Sequence, residues 1–137
     1  FNDRWGHPVG DQVLRFIASY LRRFAAGGTA YRFGGEEFVI VFDRGDVAQA
    51  AVALDELRQT IEGREFVIRS QNRPRKKPAN APPPKNPRKP KTIRVTISIG
   101  VAGPTPRRDT VEAVMAAADK ALYAAKGEGR NRVCTAK

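Results

Sequence analysis

The chain has 137 residues, 41% of them apolar and 28% charged, enough for one domain with a buried core and ordinary for a globular protein. No apolar run approaches the roughly 18 residues a membrane span requires, no signal peptide is visible, and the single cysteine, Cys134, excludes an internal disulfide and suits a cytoplasmic setting. The net charge of +11 is concentrated in residues 64–94, which hold eleven Lys or Arg against one acid, so the rest of the chain is close to neutral and a general nucleic-acid function is not indicated.

Val13, Leu14, Ile17, Leu21 and Phe24 recur at helical spacing, predicting a helix over 11–24 with one buried face. "TAYRF" (29–33) and "EFVIVFD" (37–43) read as strands on either side of Gly34 and Gly35. A second helix is expected from about Asp46, with Gln49 completing a capping box and Val47, Ala50, Leu54, Leu57 and Ile61 on its buried stripe; Gly63 stops it. "EFVIR" (65–69) is a short strand.

The segment from Asn72 to Lys91 carries seven of the ten prolines and most of the excess charge. It lacks the apolar side chains to fold alone, so an extended, solvated insertion at about 71–91 is expected. The alternative is an electrostatic arm for an anionic partner.

"TIRVTISIGVA" (92–102) alternates strictly, with Ile93, Val95, Ile97, Ile99 and Val101 on one face, and predicts one continuous strand. A last helix is expected from Asp109, with Glu112 completing a capping box and Val111, Met115, Ala118 and Leu122 buried. "NRVCT" (131–135) reads as a closing edge strand. The succession predicts an α/β (α+β) sandwich, one sheet with covering helices and at least one antiparallel pair.

Three places carry polar residues that could do chemistry. Glycines at 34 and 35 supply the positive φ of a tight hairpin whether or not the turn does anything else. Glu36 and Glu37 follow directly; adjacent strand residues point to opposite faces, so one carboxylate is expected to approach the core side, and either could ligate a hard cation. The N-terminal "FNDRWGHPVGD" clusters Asn2, Asp3, His7 and Asp11 in a loop before the first helix. An ionised Asp is a natural bidentate acceptor for guanine's two N–H donors, and it is equally a natural helix N-cap. His7 has no nearby Cys or Ser with which to build a triad or zinc site. At the other end, Lys126 and Arg130 flank a helix terminus, where cations suit the helix dipole and could also grip a polyphosphate.

"FNDRWGHPVGD", "RFGGEEF", "TISIGVA" and "ADKALYAAKGEGRNR", in this order and spacing, resemble the GGDEF family of diguanylate cyclases in its GGEEF variant, over nearly the whole chain except the basic segment. The resemblance implies a ferredoxin-like, polymerase-palm-like sheet with flanking helices, related to the class III nucleotidyl cyclases. It implies condensation of two GTP into cyclic di-GMP across a homodimer, with two Mg²⁺ or Mn²⁺ per site. Asn2 and Asp11 would recognise guanine, with His7 near the nucleotide. Gly34 and Gly35 would admit the phosphates, Lys126 and Arg130 would hold the terminal ones, and Glu36 and Glu37 would be the catalytic and metal-binding carboxylates. The alternative is a non-catalytic GTP-binding module that regulates a neighbouring domain.

In the family, a strand with a metal-binding Asp precedes the Asn-Asp motif, upstream of Phe1. The resemblance therefore implies an N-terminally truncated domain, short of one metal ligand and one strand as it stands, from a longer cytoplasmic or membrane-bound protein with a sensory or regulatory part. The family's Arg-x-x-Asp product-inhibition motif falls on Ala25 to Gly28, which carry no side chain able to bind product, so no product-inhibition site is expected.

Overall fold

The structure is a computed structural model that describes residues 7–24, 27–68 and 92–137. In chain order these form α1 (His7–Phe24), β1 (Gly28–Gly34), β2 (Glu37–Phe42), α2 (Val47–Glu62), β3 (Glu65–Val67), β4 (Thr92–Arg94), β5 (Ile99–Val101), α3 (Val111–Gly127) and β6 (Val133–Thr135). None of the described helices is long and apolar enough to cross a membrane.

The apolar spacing of α1 and α2 builds the core. Val13, Ile17 and Leu21 from α1 meet Leu54, Leu57 and Ile61 from α2, with Val95 and Val101 beneath them. Phe16 packs on Tyr20 at 4.9 Å between ring centroids and on Phe66 of β3 at 5.1 Å, tying α1 to a strand 50 residues further along the chain. The Asp46–Gln49 capping box forms as expected: the Asp46 carboxylate accepts from the Gln49 N–H at 2.7 Å, and the Gln49 side chain accepts from the Asp46 N–H at 3.4 Å.

Four expectations are corrected. α1 begins at His7 rather than Asp11, so Asp11 lies inside the helix and does not cap it. Pro8 falls in the first turn, where its missing N–H costs nothing. The 92–102 segment is not one strand. Its alternation survives, with Val95 buried between exposed Arg94 and Thr96, but β4 pairs with β3 and β5 pairs with β6, leaving 95–98 between partners. Periodicity records which side meets the core, not which residues have a ladder neighbour. The third helix is capped by Thr110, whose hydroxyl accepts from the Ala113 N–H at 3.1 Å; this displaces the expected Asp109–Glu112 box by one residue and leaves Val111 75% exposed. Lastly, among the described residues hydrogen bonds join the strands as three pairs, antiparallel β1–β2 and β3–β4 and parallel β5–β6, rather than as one ladder.

α3 lies on β5 through small residues. Ala121 and Ala125 are buried, and Gly100 of β5 sits so close that a Cβ there would strike the Ala118 carbonyl and the Leu122 backbone. Position 100 is therefore closed to any side chain while α3 keeps its place.

Candidate active site

The β1–β2 hairpin pairs Gly28 with Phe42 through Arg32 with Phe38, then slips between Arg32 and Gly34 so that Phe33 has no partner and Gly34 meets Glu37. Period-2 geometry sorts its side chains. Ala30, Phe38, Ile40 and Phe42 pack against the core, whereas Tyr31, Phe33 and Val41 stay exposed on the other face.

At the tip, Gly34 has φ +153° and Gly35 φ +54°, and an added Cβ at either would meet nothing within 4 Å. Glycine is demanded there by the backbone dihedral, not by crowding. The space beside the turn is open to a ligand. Arg32 bridges the turn from the stem, its Nη2 donating to the Gly35 carbonyl at 3.1 Å. Glu36 and Glu37 are both exposed, so neither turns toward the core as the alternation argument expects. The reason is position: Glu36 lies in the turn and Glu37 is the first strand residue, beyond the edge of the packed layer.

Between α1 and the hairpin lies a groove of about 380 Å³, within the usual range for small-molecule sites. α1 contributes Asp11, Leu14, Arg15, Ala18, Leu21 and Arg22, and the hairpin Ala30, Tyr31, Arg32 and Phe38. The floor is apolar and the rim carries one carboxylate and three guanidinium groups, which suits a flat ring with N–H donors for the carboxylate and an attached anionic group for the guanidinium groups. Asp11 to Arg22 is ~16 Å of helix. Arg32 was not among the residues the motifs single out. The signal was present, because strand alternation puts position 32 on the same face as the half-buried Ala30.

The structure thus brings Asp11 and the stem of the glycine turn to one groove. It does not bring Lys126 or Arg130 there. Both are exposed at the far end of α3, where Arg130 has φ +64°. His7 opens α1, Asn2 lies outside the described residues, and of the four positions on which the family's inhibitory motif falls Gly27 and Gly28 are described, with Gly27 at φ +86°.

For a metal, the donor set available is oxygen from Glu36 and Glu37. Among the described residues no three His, Cys, Asp or Glu side chains converge. Two exposed carboxylates fit Mg²⁺, which is commonly held by one or two carboxylates together with substrate phosphates and water.

A family model described as diguanylate cyclase, GGDEF domain, matches residues 1–81 and 75–132, the two matches meeting inside the proline-rich basic segment. Diguanylate cyclase A of Treponema denticola is 31% identical over an alignment of 137 positions that covers 99% of this chain and 32% of that protein. Response regulator PleD of Caulobacter vibrioides is 33% identical over 133 residues, 96% of this chain and 25% of that protein. The crystal structure of the GGDEF domain of DgcB from Caulobacter crescentus, in complex with c-di-GMP, superposes with a TM-score of 0.78 at 38% identity, covering 98% of this chain and 68% of that one. The active GGEEF domain of a diguanylate cyclase from Vibrio cholerae gives 0.72 at 27% identity, covering 99% and 74%. The chain spans about a third or less of the first two of these relatives.

Proposed function

Because the chain belongs to the GGDEF family of diguanylate cyclase domains and has their mixed α+β, palm-like fold, we propose that it condenses two GTP molecules into cyclic di-GMP and releases two pyrophosphates. The observation that carries the reading is the groove shared by Asp11 and the Gly34–Gly35 hairpin, where a carboxylate lies beside the stem of a turn tipped with two more.

In this reading the Asp11 carboxylate accepts the two N–H groups of the guanine edge, with Asn2 as a second contact and His7 near the nucleotide. Gly34 and Gly35 leave the backbone of the turn open to the phosphates, and Lys126 and Arg130 hold the terminal ones. Glu36 takes the proton of the attacking ribose 3′-hydroxyl, with Glu37 as a second carboxylate beside it. Glu36 and Glu37 would hold a pair of Mg²⁺ or Mn²⁺ ions, which when bound supply charge neutralisation at the phosphates. One chain binds one GTP, so the 3′-hydroxyl of each nucleotide must meet the α-phosphate of the other across a homodimer. The chain acts as the cytoplasmic output module of a protein that also carries an N-terminal regulatory part.

The test is incubation of the full-length dimer with GTP and Mg²⁺. Cyclic di-GMP should form, and Glu36→Ala should abolish it while GTP still binds. Product formation by that variant would overturn the role given to Glu36, and GTP binding without turnover in the unmutated dimer would favour a regulatory module over an enzyme.

A further inference from the structure

Among the described residues, two that are not glycine have positive φ, and they are neighbours: Arg130 at +64° and Asn131 at +47°. Left-handed backbone is unfavourable for L side chains and persists where surrounding contacts over-determine it. Here the contacts converge on Asn131. Its Nδ2 donates to Glu62 Oε1 at 2.9 Å, its Oδ1 accepts from Arg58 Nη1 at 2.9 Å, and its backbone N–H donates to Ser98 Oγ at 3.2 Å. Arg58 is itself fixed, with Nε on Asp55 at 2.7 Å and Nη1 on Glu62 at 3.0 Å, and its side chain is 13% exposed. The Arg130 N–H closes the end of α3 by donating to the Ala125 carbonyl at 2.9 Å. Both ends of the Asn131 amide are therefore held by α2, while the Arg130 side chain stays exposed.

We propose that Arg58, Glu62 and Asn131 are positioning residues that lock the turn after α3 and so aim the Arg130 guanidinium at the terminal phosphates of the nucleotide. The proposal rests on the reading of Arg130 as a phosphate ligand. A guanidinium recognises phosphate through a planar fork, so its grip depends on orientation as well as charge. α2 is a suitable reference for that orientation, because only four residues separate it from the hairpin strand β2 and it runs ~24 Å to the Arg130 turn. One rigid helix thereby relates the base of the glutamate hairpin to the phosphate-binding turn.

The experiment compares binding of GTP and of guanosine, which has no phosphates, to the full-length protein and its variants. Arg130→Ala should weaken GTP and leave guanosine unchanged. Asn131→Gly accepts the same backbone without strain but removes the amide, and Arg58→Gln removes the ion pairs. Each should weaken GTP by about 5–10-fold, the effect of one or two lost hydrogen bonds, with guanosine affinity unchanged. Arg58→Lys, which keeps the charge but cannot serve three partners in one plane, should fall between, and it replaces Arg58→Gln if that variant does not fold. Loss of stability alone would move both ligands together. Wild-type GTP affinity in Asn131→Gly, alongside a drop in Arg130→Ala, would overturn the positioning role and leave the phosphate reading standing. No drop in Arg130→Ala would overturn both.

Discussion

Gly100→Ala adds one methyl group where the fold has no space for it. The new Cβ would collide with the Ala118 carbonyl and the Leu122 backbone, and would lie 2.8 Å from the Leu122 Cα. Those atoms belong to helix backbone, so no side chain can rotate aside, and α3 must retreat from β5 by ~1 Å. A gap of that size forfeits a quarter to a half of the dispersion energy along the seam. Added to the strain of overpacking, the loss should be ~2–3 kcal/mol. For a chain of this size that lowers the melting temperature by roughly 6–15 °C. Gly127→Ala is the internal control, since a Cβ at that last position of α3 meets nothing within 4 Å, and alanine there should be neutral or stabilising by less than about 1 kcal/mol. Urea unfolding of both variants, with the wild type alongside, measures the difference. Equal midpoints for Gly100→Ala and Gly127→Ala would refute the packing argument.

Other outcomes follow from the caps, the ion pairs and the expected lack of a product site. Asp46→Ala and Thr110→Ala should each cost about 1 kcal/mol in urea unfolding, whereas Asp109→Ala should change stability by less than about 0.5 kcal/mol, because the cap of α3 is Thr110. Hydrogen bonds from Arg58 and then Gln59 hold the Asp55 carboxyl below its ordinary value of 3.8. A depressed folded pKa gives stability that is present above the unfolded value and lost as pH falls through the folded one. Asp55→Asn should therefore be less stable than wild type at pH 7, by no more than ~1 kcal/mol for a side chain 41% exposed, and the gap should narrow progressively as pH falls below 3.8. An equal gap at both pH values would mean that the carboxylate charge is not its source. Added cyclic di-GMP should leave the initial rate of GTP turnover unchanged, because Gly27 and Gly28 bring no side chain to the positions where the family's inhibitory motif ends; inhibition that survives mutation elsewhere on the surface would count against this.

What could be read from the sequence was what the chain decides locally. The capping box of Asp46 and Gln49 and the hairpin turn at Gly34–Gly35 each span four residues, so neighbouring residue types suffice to specify them. Local signals also misled where two were adjacent: Asp109 and Thr110 are both good caps, and only the path of the chain into α3 decides between them. Asn131 was opaque for the opposite reason. It reads as one more polar residue in "GEGRNR", yet its partners Arg58 and Glu62 lie 73 and 69 residues away in sequence. The exposure of both Glu36 and Glu37 was missed because alternation was applied at a strand end, where the packed layer has already stopped. Arg32 was legible in principle from its register with Ala30 but required the position of α1 to acquire a meaning.

The unpaired Phe33 matters as a unit of length. Its ring is 68% exposed, so replacing it with Thr or Ser removes little packing. Deleting it is another matter. The slip between Arg32 and Gly34 would close into a regular ladder, the extra local twist of a bulge would be lost, and the turn would leave the stem at a different angle although every named acid and glycine remained. Substitution and deletion at this one codon should therefore part company: the hairpin can vary in spelling at position 33 but not in the number of its letters.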